Sequence, residues 1–221
     1  MSKKIKKKPQ KDRISRMQEI LDLLKEEYPD AAIQLKFNSP HELLIATMLS
    51  AQSTDKQVNK VTKKLFEKYT KPEDYLEVPL DELKQDIYST GFYNEKAKNI
   101  RKAMKMIIEE FEGELPDNMK GLLKLPGVGR KTANVVLGHA FDIPGIVVDT
   151  HVIKLTNRLG FVDTKNADKI EKEIEKLIPE EDWVMFTHYM ISHGRNICKA
   201  RKPKCGECVI SNLCPSAFSF K

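Results

Sequence analysis

Cys198, Cys205, Cys208 and Cys214 are the only cysteines among the 221 residues, spaced C-x6-C-x2-C-x5-C. Thiols this close suit disulfides in an oxidising compartment and a soft-metal centre in a reducing one. Zinc sites commonly use two close pairs. Here one close pair is flanked by longer arms, which leaves zinc open but leans towards a [4Fe–4S] cluster. A second candidate chemistry lies in LLKLPGVGRKTA, residues 122–133. Lys131 there offers an amine able to attack a carbon and form a Schiff base, or simply an ammonium that pairs with phosphate. A third is Asp149 in VVDTHV. Its carboxylate can cap a helix starting at Thr150, and can also stabilise a developing cation.

The elements around these residues define what they can do. A short helix ends at Pro126, and Gly127 and Gly129 allow positive φ and close backbone approach. A second helix starts near Arg130, and its free N–H groups form an anion site. Residues 119–138 therefore read as a helix–hairpin–helix, gripping DNA phosphates through Gly127, Val128, Gly129 and Arg130 without reading sequence. Lys131 in the first turn faces the positive end of the helix dipole. That field, with Arg130 beside it, favours the neutral amine. Physics alone leaves nucleophile and phosphate partner both open.

Elsewhere, 3.6-residue periodicity dominates. Apolar stripes run through Ile14, Met17, Leu21, Leu24 and Tyr28; through Ile100, Met104, Ile107, Ile108 and Phe111; and through Ile170, Ile174, Leu177 and Ile178. Ser39-Pro40-His41-Glu42 and Thr54-Asp55-Lys56-Gln57 read as capping boxes, and Asn94 as the cap of the helix carrying Ile100. Leu43–Leu49 is apolar all round, which predicts a central buried helix. Ile146–Val148 is too short and isolated to build a sheet. The fold class is all-α.

Hydrophobic residues make up 40% and charged residues 32%, which excludes a disordered chain. No run approaches the ~20 apolar residues of a membrane span, and no apolar stretch follows the basic N-terminus as a secretory signal requires. The expected compartment is the cytoplasm or another reducing space. Net charge is +6, with seven basic and one acidic side chain in residues 1–13 and six basic and one acidic in 183–221. Residues 1–12 read as a basic, disordered tail. Four bases, Lys199, Arg201, Lys202 and Lys204, fill the loop between Cys198 and Cys205, where chelation would hold them rigid.

The hairpin with its lysine, VDTHV eighteen residues later and the cysteine cluster together resemble the endonuclease III family of DNA glycosylases with abasic-site lyase activity. The resemblance runs from about Ile14 to Cys214. It includes MLSAQSTD (48–55) and GFYNEKA (91–97), which match two DNA-contacting loops of that family. It implies two helical domains flanking a DNA-binding groove. One is a six-helix barrel over 33–143; the other joins 13–32 to 144–221 and carries a [4Fe–4S] cluster on the four cysteines. Lys131 matches the nucleophile, which expels a damaged pyrimidine and cleaves the abasic site by β-elimination. Asp149 matches the essential carboxylate, with His151 beside it facing DNA. Gln52 matches the residue that fills the gap left by a flipped base, and Phe92 stands where relatives often place an aliphatic wedge. The basic loop 199–204 would press on phosphates. The implied partner is double-stranded DNA with damaged pyrimidines or abasic sites, met by a monomer without a membrane. The compact length and the absence of an organelle-targeting pattern point to a prokaryotic cytoplasm, at the nucleoid.

Two rivals share parts of this pattern. An adenine-mismatch glycosylase of the same superfamily usually lacks the lysine and adds a C-terminal domain. A non-enzymatic DNA-binding module with a zinc site would explain the hairpin and cysteines, but not a lysine set against a helix dipole.

Overall fold

The computed structural model describes residues 10–219. Residues 1–9 of the basic tail lie outside them, and helix α1 (Gln10–Glu27) already includes 10–12, so those three residues are helical rather than tail. Among the described residues there are eleven α-helices, four short 3-10 turns and no strand. None of the helices is long and apolar enough to cross a membrane. The chain divides into two compact units, Gln34–Ile143 and the pairing of Met1–Ile33 with Pro144–Lys221.

The first unit is built around α2 (Pro40–Ser50), which packs on α3 (Asp55–Lys68), α6 (Tyr93–Glu110) and α8 (Arg130–Ala140). Every residue from Leu43 to Leu49 is buried, as an all-apolar helix requires. Ser39 caps α2 by accepting from the Glu42 N–H at 3.2 Å. The Glu42 carboxylate reaches back to the N–H of Asn38 at 2.6 Å, one residue earlier than a simple capping box places it. Thr54 caps α3 through the Gln57 N–H at 3.3 Å, but the Gln57 side chain donates instead to Ser89 Oγ at 2.6 Å. The α6 stripe buries Ile100, Met104 and Ile107. Asn94 does not cap that helix. Phe92 occupies the cap position in left-handed backbone with no side-chain bond, and Asn94 lies inside the first turn.

In the second unit Met17, Ile20, Leu21 and Leu24 of α1 share one core with α9 (Thr150–Arg158), α10 (Ala167–Ile174) and α11 (Trp183–Asn196). Ile14 is 42% exposed, so the stripe on α1 starts at Met17. Ile146, Val147 and Val148 are buried but pair with no strand. The Thr187 hydroxyl of α11 takes that part, accepting from the Val147 N–H at 3.1 Å and donating to the Val147 carbonyl at 3.2 Å. A single side chain thus satisfies both backbone groups of a buried residue. It also fixes the approach to Asp149, two residues on.

Candidate functional site

The hairpin lies in the first unit. Helix α7 spans only Met119–Leu122, and tight turns carry the chain from there to Val128. Gly127 sits at φ +81°, and a Cβ there would stand 2.9 Å from Asn99 Cβ and 3.0 Å from Met48 Cε. Glycine is needed twice over at this position, for the backbone and for the space. Gly129 differs from expectation. Its φ is −100°, open to any residue, and a Cβ there would meet nothing within 4 Å. Leu125 and Val128 are buried and anchor the turn, while Gly127 and Gly129 are exposed. Gly129 caps α8 with no side chain, and its carbonyl accepts from the Ala133 N–H at 2.9 Å. The next amides, up to Thr132, head the helix and are oriented to receive an anion. Arg130 and Lys131 are exposed in that first turn, which holds no acidic residue.

Two exposed loops of the same unit carry the other expected DNA contacts. Gln52 lies between α2 and α3 at φ +55°, and Phe92 heads α6 at φ +50°, 65% exposed. Left-handed backbone is uncommon outside glycine and costs about 1–3 kcal/mol where the surroundings enforce it.

Asp149 belongs to the second unit. It caps α9, with Oδ1 accepting from the N–H groups of His151 at 2.8 Å and Val152 at 2.9 Å. Both bonds fall on one oxygen, so capping does not consume Oδ2. Capping and a second role are therefore compatible. His151 is half-buried, and its Nδ1 edge packs against α11. A Cβ on Gly194 would come within 2.3 Å of that nitrogen. That edge is structural, which leaves Nε2 for any contact with DNA.

Cys198, Cys205, Cys208 and Cys214 are all half-buried and line a single recess with Leu155, Ile197 and Ile210. Burial pushes the Cys208 thiol up to about 11 and raises that of Cys214. Thiolates here need a positive partner, which bound iron supplies. Donors already face the sulfurs. The N–H groups of Ile210 and Ser216 serve Cys208 and Cys214. Arg158 Nη1 donates to Cys198 Sγ at 3.1 Å, and His193 Nε2 lies 3.4 Å from Cys208 Sγ. The other His193 nitrogen, Nδ1, is 3.1 Å from the Tyr28 hydroxyl, and desolvation holds this buried imidazole down to about 4. A neutral ring accepting from Tyr28 presents Nε2–H to the sulfur. Among the described residues, no three His, Cys, Asp or Glu side chains converge closely enough to hold one metal ion. Four thiols around one recess form a soft-donor set that suits an iron–sulfur cluster.

The basic loop after Cys198 is also built by this chain. Arg158 holds the Lys199 and Ala200 carbonyls at 2.9 and 3.0 Å, and the Lys204 N–H closes on the Ile197 carbonyl at 3.1 Å. Lys199, Arg201 and Lys202 are exposed, whereas the Lys204 ammonium pairs with Glu207 at 2.8 Å. That pairing weakens Lys204 as a phosphate contact.

Arg158, Thr187 and His193 escaped the sequence reading. A signal existed for one of them: Lys154 and Arg158 share a face of α9 at i, i+4. Another omission is Lys96 in the first unit, buried at 7% exposure. It stands in register with Ile100, Ala103 and Ile107 on the inward face of α6.

Residues 45–180 match the family described as HhH-GPD superfamily base excision DNA repair protein. Residues 198–214 match the iron-sulfur binding domain of endonuclease III. The chain is 51% identical over 203 residues to an endonuclease III of Synechocystis, covering 91% of this chain and 93% of that one. It superposes on a non-covalent endonuclease III–DNA complex with a TM-score of 0.88 and 49% identity, covering 92% and 96% of the two chains. A trapped covalent endonuclease III–DNA intermediate gives the same TM-score, 0.88, identity, 49%, and coverage, 92% and 96%.

Proposed function

The chain belongs to the endonuclease III family of the HhH-GPD superfamily, and from that premise we propose that it removes oxidised pyrimidines from duplex DNA and cleaves the resulting abasic site by β-elimination. It is a base-excision repair glycosylase and abasic-site lyase, its partner is DNA and its cofactor is a [4Fe–4S] cluster. The observation that carries the finer reading is Lys131: an exposed amine in the first turn of α8, immediately after a hairpin whose amides suit a phosphate. A related chain of the same fold has been trapped as a covalent intermediate with DNA.

On this reading the damaged nucleotide leaves the stack, which costs a few kcal/mol and least at damaged pairs. Gln52 and Phe92 fill the space it vacates, and their exposed, left-handed positions suit insertion. The Lys131 amine attacks C1′. The C1′–N bond breaks, the base departs with the bonding electrons and gains a proton, and the opened sugar becomes an imine on Nζ. Loss of a C2′ proton then expels the 3′ phosphate, and water hydrolyses the imine to release Lys131. Asp149 offers Oδ2 to the cationic sugar that develops at C1′. Gly127, Val128, Gly129 and Arg130 hold phosphate, and His151 borders the DNA through Nε2.

Cys198, Cys205, Cys208 and Cys214 would hold the cluster, which would brace the loop that presents Lys199, Arg201, Lys202 and, more weakly, Lys204. One chain suffices for this chemistry, and its place of work is the prokaryotic cytoplasm, on nucleoid DNA.

Borohydride trapping on an abasic-site duplex is the test. The expected result is a covalent adduct with the wild type that is absent from Lys131→Gln, while Lys131→Gln still binds the duplex. No adduct with the wild type would overturn the lyase reading.

A further inference from the structure

The Lys96 ammonium is buried inside the first unit with no carboxylate among its hydrogen-bond partners. Nζ donates to the Leu49 carbonyl at 2.8 Å and to the Thr90 carbonyl at 2.8 Å. Burial lowers its proton affinity and no opposing charge counters the effect. An uncompensated buried cation is costly, and an apolar side chain of the same length would avoid that cost. The two carbonyls give the cation a specific task.

Leu49 lies in the last turn of α2, which contains no basic residue of its own. Its carbonyl is one of the four that a helix end leaves without an internal partner. Thr90 closes the 3-10 turn Tyr88–Thr90. A cation at these two negative ends is electrostatically favoured. Three residues after Leu49 comes Gln52; two residues after Thr90 comes Phe92. Both are exposed and both hold left-handed backbone, at φ +55° and +50°. A second tie runs from α3, five residues after Gln52, to the same 3-10 turn, where Gln57 Nε2 donates to Ser89 Oγ at 2.6 Å.

We infer that Lys96 is a positioning residue for DNA distortion: its ammonium clamps the two loops at a fixed spacing, so that Gln52 and Phe92 enter the duplex as one rigid wedge. The inference rests on the wedge roles proposed above for those two residues. Strained backbone persists only where the surroundings over-determine it, and here the Lys96 cation ties the roots of both loops from within while the Gln57–Ser89 bond supports them from outside. A wedge on loose loops would have to be ordered again at each encounter, and small misplacements far from the chemistry cost rate.

The experiment uses the full chain with its cluster and the variant Lys96→Met, which keeps the stem and removes the donors. Amide hydrogen exchange reads the clamp directly. The expected result is at least roughly tenfold faster exchange in segments 51–53 and 91–93, with the hairpin 127–132 unchanged. Turnover reads its purpose. On a duplex lesion kcat/KM should fall roughly 10- to 100-fold, while the same lesion in an unpaired bulge, which needs no wedge, is processed almost as before. Adding Lys96→Met to a Gln52→Ala, Phe92→Ala background should bring little further loss on the duplex.

Unchanged exchange in the loops, or faster exchange throughout the unit, would overturn the clamp. Loosened loops with unchanged duplex turnover would overturn the positioning role by removing the wedge reading beneath it, and Gln52→Ala and Phe92→Ala would then be equally indifferent. If Lys96→Met does not fold, Lys96→Gln submitted to the same two readouts decides.

Discussion

Arg158 donates to the sulfur of Cys198 at 3.1 Å, and the same guanidinium grips the Lys199 and Ala200 carbonyls at 2.9 and 3.0 Å. One side chain thus serves a cluster ligand and the basic loop that follows it. Arg158→Met should yield protein with less iron per chain and a visible absorbance that bleaches faster in air. Arg158→Lys should not restore it, because a point-like ammonium cannot replace a planar fork with several donors. Wild-type iron content and bleaching rate in both variants would reject this role.

Gly127 and Gly129 should separate folding from binding. Gly127→Ala places a Cβ against Asn99 and Met48 on a left-handed backbone, and should cost about 1–3 kcal/mol of stability. Gly129→Ala has ordinary φ and open space, so its denaturation midpoint should match the wild type. Weaker DNA binding by Gly129→Ala, measured by titration at fixed salt, would then report the approach of a phosphate to that surface. Full affinity in Gly129→Ala would argue against contact there.

The Thr187 hydroxyl serves both backbone groups of Val147, accepting from its N–H and donating to its carbonyl. Thr187→Val, nearly the same shape, should destabilise the protein by roughly 1–3 kcal/mol through two buried groups left unpaired. Thr187→Ser should recover most of that loss. Because the pinned segment delivers Asp149, excision by folded Thr187→Val should fall further than stability alone predicts. Equal excision per folded molecule would confine Thr187 to stability.

His41 bears on pH dependence. Desolvation lowers its proton affinity, outweighing the Gly113 carbonyl 3.1 Å from Nε2. The unfolded chain therefore binds a proton more readily than the folded one. Its contribution is full above the unfolded value of about 6.5 and declines as pH falls through the folded value. Denaturant midpoints measured from pH 7 downward should drop less steeply in His41→Gln than in the wild type. Parallel curves would show that His41 does not set this slope.

Much of this molecule is written locally. The buried face of α2, the Ser39, Thr54 and Asp149 caps and the hairpin ahead of Lys131 all depend on residues within four positions of one another. The cysteine spacing likewise points to a metal centre before any fold is known. Packing decided the rest. Helix phasing alone cannot say that Phe92 rather than Asn94 heads α6, because that choice follows from where the preceding 3-10 turn ends. Nor can sequence tell Gly127, which needs its missing Cβ, from Gly129, which does not, since the difference lies in Asn99 and Met48 pressing on only one of them. Lys96 shows the division most clearly. Its register with Ile100 and Ile107 marks it for burial, yet its carbonyl partner at Leu49 is 47 residues away, and Arg158 and Cys198 are 40 apart. Periodicity gives the direction in which a side chain points; only the assembled chain brings to that place the group that makes its burial worthwhile.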